Sequence, residues 1–425
     1  MKLYPAYISI LFFIITGCDT AEITNVTILE NGYYFNSEAM IPFAELVIAE
    51  GKIKAINKEH TKTQGNRINI SGKYIVPGFT DAHVHLMGSP TKPYTMIPPA
   101  YNTTSSLFCG VTTVIDLFFD EYKCRTFKDS INSKPNRYAT VLLSGPILTA
   151  PKGHGTEYGL ATRTITSVQE AKQITNEVID NGVDVIKLVY QAYSGKYAIS
   201  KDMLEAIVAT AHARNVKVFA HVNVAKEAMD CIDANVDVLA HIPQDTLTKE
   251  HINRIKQSGI LTIPTLSVYT SVYEGYDAGY FSDSLLRQTA NPSYLLKFPD
   301  GKAPDAPYPA YKQYSLNTKH NMRQLIKNKL PVAAGTDAGN FAVFCGYSLH
   351  EEIRQYVKLG MTPAEALNSA TKTIYTVLPG IKTGVIQPGY DADLMILNKN
   401  PLEDINNTKN INTVYHKGVK VNRTR

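Results

Sequence analysis

Both ends of the chain alternate apolar and polar residues in short runs. From about residue 23 to residue 74 the runs have the period of two that is typical of strands with one buried face. The run "ELVIAEGKIKAIN" predicts a hairpin with Glu50 and Gly51 at its turn. Near the other end, "YDADLMILN" and "TVYHKGVKV" predict short strands, with a second turn at Lys417 and Gly418. We therefore expect the two ends to meet in one small β-domain.

The middle of the chain, from about residue 78 to residue 378, alternates candidate strands with helical patterns. The strands are short apolar runs: "VPGFTDAHVHL", "VTTVIDLFF", "YATVLLSG", "GVDVIKLV", "NVKVFAHV", "NVDVLAHI", "ILTIPTL" and "PVAAGTDA". Alternating strands and helices predict a parallel sheet. Eight such repeats in about 300 residues predict an α/β fold of the (β/α)8 TIM barrel type.

Two helices can be placed from their caps. "SKDMLEAIVATAHARN" has apolar residues at helical spacing, with Ser200 as the N-cap. "MTPAEALNSATK" has Thr362 as the N-cap, Pro363 in the first helical position and Glu365 two residues later, which is a capping box.

The first residues, "MKLYPAYISILFFIITGC", have a charged Lys2 followed by an apolar run too short to span a bilayer. These lengths predict a signal peptide over residues 1–17, and the end of the stretch resembles a bacterial lipobox. We expect Cys18 to carry lipid and tether an exported cell-envelope protein to a membrane, on the periplasmic side or at the cell surface. The alternative is an ordinary signal peptide with a chance cysteine.

Composition excludes some partners and leaves others open. Hydrophobic residues make up 44% of the chain, which is typical of a globular protein with a large core. The net charge of +5 is mild and no lysine- or arginine-rich block occurs, so we expect no nucleic-acid partner. The scattered Cys109, Cys124, Cys231 and Cys345 could pair in three ways, but buried free thiols are favoured. A homo-oligomer remains open.

Polar residues stand at the carboxyl ends of five predicted strands. They are His83, His85, Lys187, His221, His241 and Asp337. Each has an ordinary explanation alone: a core histidine, a lysine that extends to solvent, an aspartate that caps a turn. Together they lie where barrel enzymes place their active sites, and imidazole and carboxylate groups suit zinc and related ions. Unmodified lysine is a poor ligand, whereas a lysine carboxylated by carbon dioxide can bridge two cations.

This arrangement resembles the amidohydrolase superfamily, in particular its imidazolonepropionase-related and Xaa-Pro dipeptidase-like members. "GKYIVPGFTDAHVHL" is similar to that family's entry into the barrel, and "VIQPGYDADLMIL" to its return to a β-sandwich. The resemblance implies a barrel over residues 78–378 and a β-sandwich built from residues 18–77 and 379–425. It also implies two divalent ions, with zinc expected. His83, His85 and Asp337 would hold one, His221 and His241 the other, and carboxylated Lys187 would bridge them. A mononuclear site is the alternative.

The implied reaction is hydrolysis of a C–N bond in a small molecule by a metal-bound hydroxide. Asp337 would carry the proton from the hydroxide to the leaving nitrogen. In the loop "APKGHGTEYGLATR", His154 would donate a hydrogen bond to the oxyanion, although a surface histidine is an equal alternative. The same scaffold could instead cleave a lactone, an ester or a phosphoester. The chain could also be a non-catalytic envelope protein that kept the barrel for binding.

Loops after the strands should contact the substrate. Tyr158, Arg163 and Tyr190 are candidates; Arg163 would bind a carboxylate unless it is simply solvated. "LVYQAYSGKY" lacks the glycine-rich continuation expected of the dipeptidase-like relatives, so dipeptide specificity does not follow. A tyrosine-rich excursion from about Ser267 to Tyr314 predicts a lid or binding element, or else a packing insert or an interface.

Overall fold

A computed structural model describes residues 26–91, 95–160, 162–276, 279–297 and 308–423. The predicted signal peptide and Cys18 lie outside these ranges. Among the helices within them, none is both long enough and apolar enough to cross a membrane.

The strands are short and are numbered in chain order. They are β1 (Thr27–Glu30), β2 (Tyr33–Phe35), β3 (Met40–Pro42), β4 (Glu45–Ala49), β5 (Lys52–Asn57), β6 (Asn66–Asn69), β7 (Tyr74–Pro77), β8 (Phe79–Val84), β9 (Val111–Asp116), β10 (Thr140–Leu143), β11 (Ile147–Thr149), β12 (Arg163–Thr164), β13 (Val185–Val189), β14 (Lys217–His221), β15 (Val238–Ala240), β16 (Leu261–Ile263), β17 (Leu394–Leu397), β18 (Ile411–His416) and β19 (Val419–Lys420).

The α-helices follow most strands of the middle region. They are α1 (Pro99–Phe108), α2 (Cys124–Asn132), α3 (Val168–Asp180), α4 (Lys201–Ala213), α5 (Ala225–Asp233), α6 (Lys249–Ser258), α7 (Leu266–Tyr269), α8 (Gly279–Ser282), α9 (Ser284–Thr289), α10 (Pro292–Leu295), α11 (Lys312–Lys327), α12 (Tyr347–Lys358) and α13 (Pro363–Ser369). The two predicted caps are confirmed: Ser200 accepts from Met203 N, and Thr362 and Glu365 form a capping box. A π-helical turn, Thr270–Glu274, extends α7.

The middle region forms two parallel sheets, as predicted. One has the order β10-β9-β8 and the other the order β12-β11-β13-β14-β15-β16. All of their pairings are parallel. Seven of the eight segments predicted to be strands do contain a strand. The chain therefore has an α/β fold in which the carboxyl ends of neighbouring strands lie at one edge.

The third predicted strand contains β10, which pairs with β9. After Gly145, which has a φ of 66°, the chain continues as β11, which was not predicted and pairs with β13. The N–H of Asp184 donates to the Leu143 carbonyl at 2.8 Å. The run from β10 to β11 therefore links the two parallel sheets.

The eighth predicted strand, residues 331–338, is an extended segment that makes only isolated bridges. The N–H of Ala333 donates to the Thr262 carbonyl at 3.0 Å, and that of Ala82 donates to the Ala334 carbonyl at 3.0 Å. A Cβ on Gly335 would lie 2.5 Å from Ile263 Cγ2 and 2.9 Å from His83 N, so the close approach requires glycine. The segment lies between β16 and β8.

The two ends of the chain share a sheet, as predicted. β7 pairs antiparallel with β17, in a sheet of order β19-β18-β17-β7-β2-β3, and the second sheet has the order β5-β4-β1-β6. Apolar side chains from both sheets form one core: Leu29, Leu46, Ile48, Ile53, Ile75, Leu394, Ile396 and Tyr415. Glu50 and Gly51 form the predicted hairpin turn with positive φ angles of 52° and 74°, the backbone of a type I′ turn.

The four cysteines of the described part of the chain are buried and form no disulfides with one another, in agreement with the sequence prediction. They are Cys109, Cys124, Cys231 and Cys345.

We expect Gly335→Ala to destabilise the protein, because its Cβ would overlap β8 and β16. The loss should be about 1–3 kcal/mol of unfolding free energy, the usual cost of overpacking. The matched control is Gly380→Ala, where an added Cβ meets nothing within 4 Å. Urea unfolding measures both. Equal midpoints for the two variants would contradict the close approach of residues 331–338 to β8.

Candidate active site

The six side chains predicted as metal ligands line one inner pocket. They are His83, His85, Lys187, His221, His241 and Asp337. The pocket opens into a cleft with a volume of about 940 Å³, and His154, Tyr158, His221, His241 and Asp337 line both spaces. The structure therefore brings together residues from strands that are far apart in the sequence.

His83 lies in β8, and His85 follows directly after its last residue. Their rings lie 5.2 Å apart, centroid to centroid. Two contacts join this strand to residues 331–338. Asp81 accepts from the N–H and the hydroxyl of Thr336 at 2.9 and 2.7 Å, and the N–H of His85 donates to the Ala338 carbonyl at 2.7 Å. Burial raises the pKa of Asp81 to about 7, against these hydrogen bonds. Asp81 thus ties residues 331–338 to β8.

Asp337 lies directly against both histidines. Its Oδ1 is 2.7 Å from Nε2 of His85 and 3.4 Å from Nε2 of His83, and its N–H donates to the His83 carbonyl at 2.7 Å. Burial would raise the pKa of this carboxyl, but the surrounding imidazoles hold it well below its ordinary value. Asp337 is therefore a buried carboxylate.

The other three predicted ligands are Lys187 in β13, His221 at the end of β14, and His241, which directly follows β15. The His241 ring lies 4.9 Å from that of His83 and 4.5 Å from that of His221. Lys187 is 2% exposed, and its Nζ lies 3.5 Å from Nε2 of His83. The four rings and the amine surround one small space.

Burial sets the charges of this cluster. It lowers the pKa of His241 to about 3, that of Lys187 to about 7, and those of His83 and His221 well below the ordinary histidine value. These imidazoles are therefore neutral near pH 7, and each keeps a lone pair that can bind a metal.

The donor set fits a divalent cation. Ligand atoms of His83, His241 and Asp337 lie within 4.8 Å of one another. Oδ1 of Asp337 and Nδ1 of both His83 and His85 are buried without a hydrogen-bond partner. Buried polar atoms are normally satisfied, so the unpartnered Asp337 oxygen, with the Nε2 atoms of both rings beside it, fits a bound cation, and nitrogen with carboxylate oxygen suits zinc.

A second set of residues, not found from the sequence, orients His241. Thr265 Oγ1 lies 2.8 Å from Nδ1 of His241, which leaves Nε2 for a ligand. Thr265 has a φ of 51°, a strained value for a β-branched residue. The next two N–H groups, of Leu266 and Ser267, donate to buried Glu352 at 2.7 and 2.6 Å. Burial raises the pKa of Glu352 to about 7. The carboxyl group of α12 thus holds this turn in place.

Gln191, also absent from the sequence predictions, contacts His221. Its Nε2 lies 3.0 Å from Nε2 of His221, and its side chain lines the cleft. Glutamine after an apolar strand carries no distinctive sequence signal.

His154 and Tyr158 lie at the mouth of the inner pocket, where the sequence places them. The His154 ring is 4.7 Å from the His221 ring and 5.5 Å from the Tyr158 ring. Nδ1 of His154 lies 2.7 Å from Oε1 of Glu157. Side-chain hydrogen bonding and the charge of His154 lower the pKa of Glu157 against the effect of its burial.

Arg163 and Tyr190 do not lie at the cleft, which corrects the sequence interpretation. Arg163 forms ion pairs with Glu177 and, at 3.8 Å, with Glu121. The Tyr190 hydroxyl donates to Asp230 at 2.8 Å. Neither residue is among those that line the two cavities in the described ranges. Each side chain binds a carboxylate of the protein instead of facing a substrate.

The tyrosine-rich segment divides into two parts. Tyr276 and Tyr280 stack at 3.9 Å in a buried cluster, so they are packing residues. Five others line the cleft: Tyr269, Tyr273, Tyr308, Tyr311 and Tyr314. The segment is thus both a packing insert and part of the cleft wall.

Known proteins resemble this chain over most of its length. Ochratoxinase of Aspergillus niger is 24% identical over 445 aligned positions, covering 92% of this chain and 84% of that protein. The structure of a Xaa-Pro dipeptidase with bound methionine aligns with a TM-score of 0.77 and 21% identity, over 93% of this chain and 99% of that one. Molinate hydrolase aligns with a TM-score of 0.74 and 16% identity, over 94% and 95%.

The family assignment rests on a match that spans most of the chain. The model of the amidohydrolase family covers residues 74–421, from β7 to the last strand. The relatives in sequence and in structure include Xaa-Pro dipeptidase-like and prolidase-like amidohydrolases and ochratoxinase. The chain therefore belongs to the amidohydrolase family.

Proposed function

We propose that this protein is a metal-dependent hydrolase that cleaves a C–N bond, in an amide, a cyclic amide or a peptide, of a small molecule. The observation that carries the proposal is the convergence of His83, His241 and Asp337 at the inner end of an open cleft. Relatives named as a dipeptidase and a phenylurea hydrolase support this reaction class.

We also propose that the parallel strands close into a (β/α)8 barrel over residues 78–378. Residues 331–338 contact β16 on one side and β8 on the other, which supports closure. The two end sheets would form a β-sandwich from residues 18–77 and 379–425, supported by their shared core.

The proposed site holds two divalent ions, with zinc expected. His83, His85 and Asp337 would hold one ion, and His221 and His241 the other. Bound divalent ions supply Lewis acidity and lower the pKa of water.

Lys187 is proposed to be carboxylated. Its amine lies among imidazoles in a buried pocket, 3.5 Å from Nε2 of His83. A neutral amine adds carbon dioxide and loses one proton, which gives a carbamate with two oxygen atoms. Burial, which disfavours the ammonium form, favours this reaction, and the carbamate would replace a weak ligand with a bridging one.

The protein's own groups have separate tasks in this proposal. The Asp337 carboxylate accepts the proton of the attacking water and delivers it to the leaving nitrogen. His154 donates to the oxygen that gains charge, while Glu157, next to Nδ1, holds the ring in position. Tyr158 packs against His154 and limits its movement.

The location of the protein is a separate proposal from the same sequence. We propose that Cys18 carries lipid and holds the enzyme at the cell envelope, where it meets small-molecule substrates rather than nucleic acids. Neither the metal site nor the reaction depends on this anchor.

We expect mass spectrometry of the purified protein to find about two divalent ions per chain, as in other two-metal sites. Lys187→Ala should lower the content to about one or less, because the bridge is lost. Lys201→Ala is the control, since Lys201 binds Asp230 and Asp233 away from the pocket. About one ion in the wild type, unchanged by Lys187→Ala, would refute the bridged site.

We expect Asp337→Asn to leave a folded protein whose turnover falls by roughly 100- to 10,000-fold, because the proton carrier is lost. Circular dichroism would monitor folding. The assay is a panel of dipeptides, N-acyl amino acids, lactones and aryl esters with zinc added. Asp129→Asn, at an exposed carboxylate on α2, is the control.

The panel also decides between the proposed function and its alternatives. Retention of most turnover by Asp337→Asn would exclude the proton-carrying role. Cleavage of lactones or esters alone would favour the lactonase or esterase alternative. No hydrolysis by protein with bound metal would favour a binding protein.

A further inference from the structure

One side of the cleft is a tyrosine wall, formed by Tyr269, Tyr273, Tyr308, Tyr311 and Tyr314. The wall begins at the inner pocket: the Tyr269 ring lies 6.3 Å from the ring of His241. Tyr273 stacks on Tyr269 at 6.1 Å with an interplanar angle of 20°. Aromatic rings therefore follow one another from a proposed metal ligand towards the solvent.

The outer part of the wall offers both faces and edges of rings. Tyr311 and Tyr314 stack at 5.6 Å, and both meet Tyr273 edge-on, at 6.4 and 5.8 Å. Tyr308, Tyr311 and Tyr314 are 51%, 52% and 38% exposed. Aromatic side chains grouped at the rim of a cleft are a common sign of a binding surface.

The outer rings are far more exposed than the tyrosines that pack the core of the same segment. Tyr276 and Tyr280 from the same excursion are 9% and 4% exposed and fill a core cluster with Phe281 and Tyr347. The segment is therefore anchored by one set of aromatic residues and presents another set to the cleft. This division assigns the second set to a ligand.

Charge in the cleft restricts that ligand further. Outside the inner pocket, where Asp337 would be compensated by the proposed ions, the lining residues that the structure describes include the carboxylate of Asp245 but no lysine or arginine. The lining also includes the amides of Asn223, Gln244 and Asn317. A substrate carboxylate would meet negative charge here, whereas an uncharged polar group would find hydrogen-bond partners.

We propose that the substrate carries a planar, uncharged aromatic group that binds on the tyrosine wall. The reacting C–N bond would then point to the inner pocket, a part of the proposal that rests on the proposed function. Ring-on-ring contact gains from the edge and face electrostatics of aromatic groups as well as from burial, so a saturated ring of equal size should bind less well.

Binding can be tested without catalysis. Calorimetry on the metal-loaded protein would compare 2-naphthylmethanol with its saturated analogue, decahydro-2-naphthylmethanol, and with the anion 2-naphthylacetate and a 2-naphthylmethyl trimethylammonium cation. We expect the neutral naphthyl probe to bind most tightly, roughly 3- to 10-fold better than the saturated ring. Equal affinity for the two neutral probes, or preference for either ion, would overturn the proposal.

Substitutions in the tyrosine wall test whether the naphthyl probe binds there. Tyr273→Leu and Tyr311→Leu keep apolar bulk and remove a ring, so each should weaken naphthyl binding by roughly 3- to 10-fold and leave the saturated probe nearly unchanged. Tyr122→Leu is the control, since Tyr122 is 77% exposed and does not line the cleft. Unchanged naphthyl affinity in both wall variants would overturn the assignment.

Turnover separates this inference from the proposed function. Phenylacetyl-glycinamide and acetyl-glycinamide share a scissile bond and differ in the aryl group. A higher kcat/KM for the phenylacetyl compound, lost in Tyr273→Leu, supports both proposals. Equal kcat/KM values contradict the wall and leave hydrolysis standing. Naphthyl binding without cleavage of any C–N bond contradicts the function and leaves the wall standing.

Discussion

A buried carboxylate held against histidine rings is the constraint on which the rest of the site depends. Asp337 is 7% exposed, and its Oδ1 has no hydrogen-bond partner although two imidazole nitrogens lie close to it. A buried charge is costly unless it is paired, and within the part of the chain that the structure describes the nearby histidine rings are the partners of this one. A cation at this point would compensate the carboxylate and bind the lone pairs of the rings. The same arrangement is thus more favourable with metal than without it.

The backbone around this carboxylate is strained in the way expected of a functional site. His241, Thr265 and Asp337 all have positive φ values, of 105°, 51° and 59°. Such conformations persist only where neighbouring contacts hold them. The hydrogen bonds to Glu352 hold the turn that follows Thr265, and the N–H of Asp337 donates to the His83 carbonyl. These conformations lower the stability of the backbone locally and direct the candidate ligand atoms to one place.

The sequence was sufficient to bring the six candidate ligands together in one pocket, because strand ends in a parallel sheet meet at one edge. The same logic failed for residues 331–338, where a left-handed Asp337 and a close glycine replace regular pairing. It also failed for Arg163 and Tyr190, because a position near a strand end does not tell which carboxylate a side chain will find. Thr265 and Glu352 act through backbone geometry, which leaves no pattern in a single sequence.

The tyrosines show the same limit at a larger scale. Their number predicts a special segment, but burial alone distinguishes the packing residue Tyr276 from the cleft residue Tyr311. Pairing of the two chain ends, by contrast, follows from alternation and turn residues such as Glu50 and Gly51. Periodic patterns therefore predict elements well, and side-chain partners require the fold.

Anomalous X-ray scattering at the zinc edge, from crystals of the zinc-loaded protein, tests the central claim most directly. We expect two peaks, one beside His83, His85 and Asp337 and the other beside His221 and His241, with density for a carbamate on Lys187 between them. Zinc bound elsewhere in the crystal, with none at these side chains, would contradict the metal-dependent site.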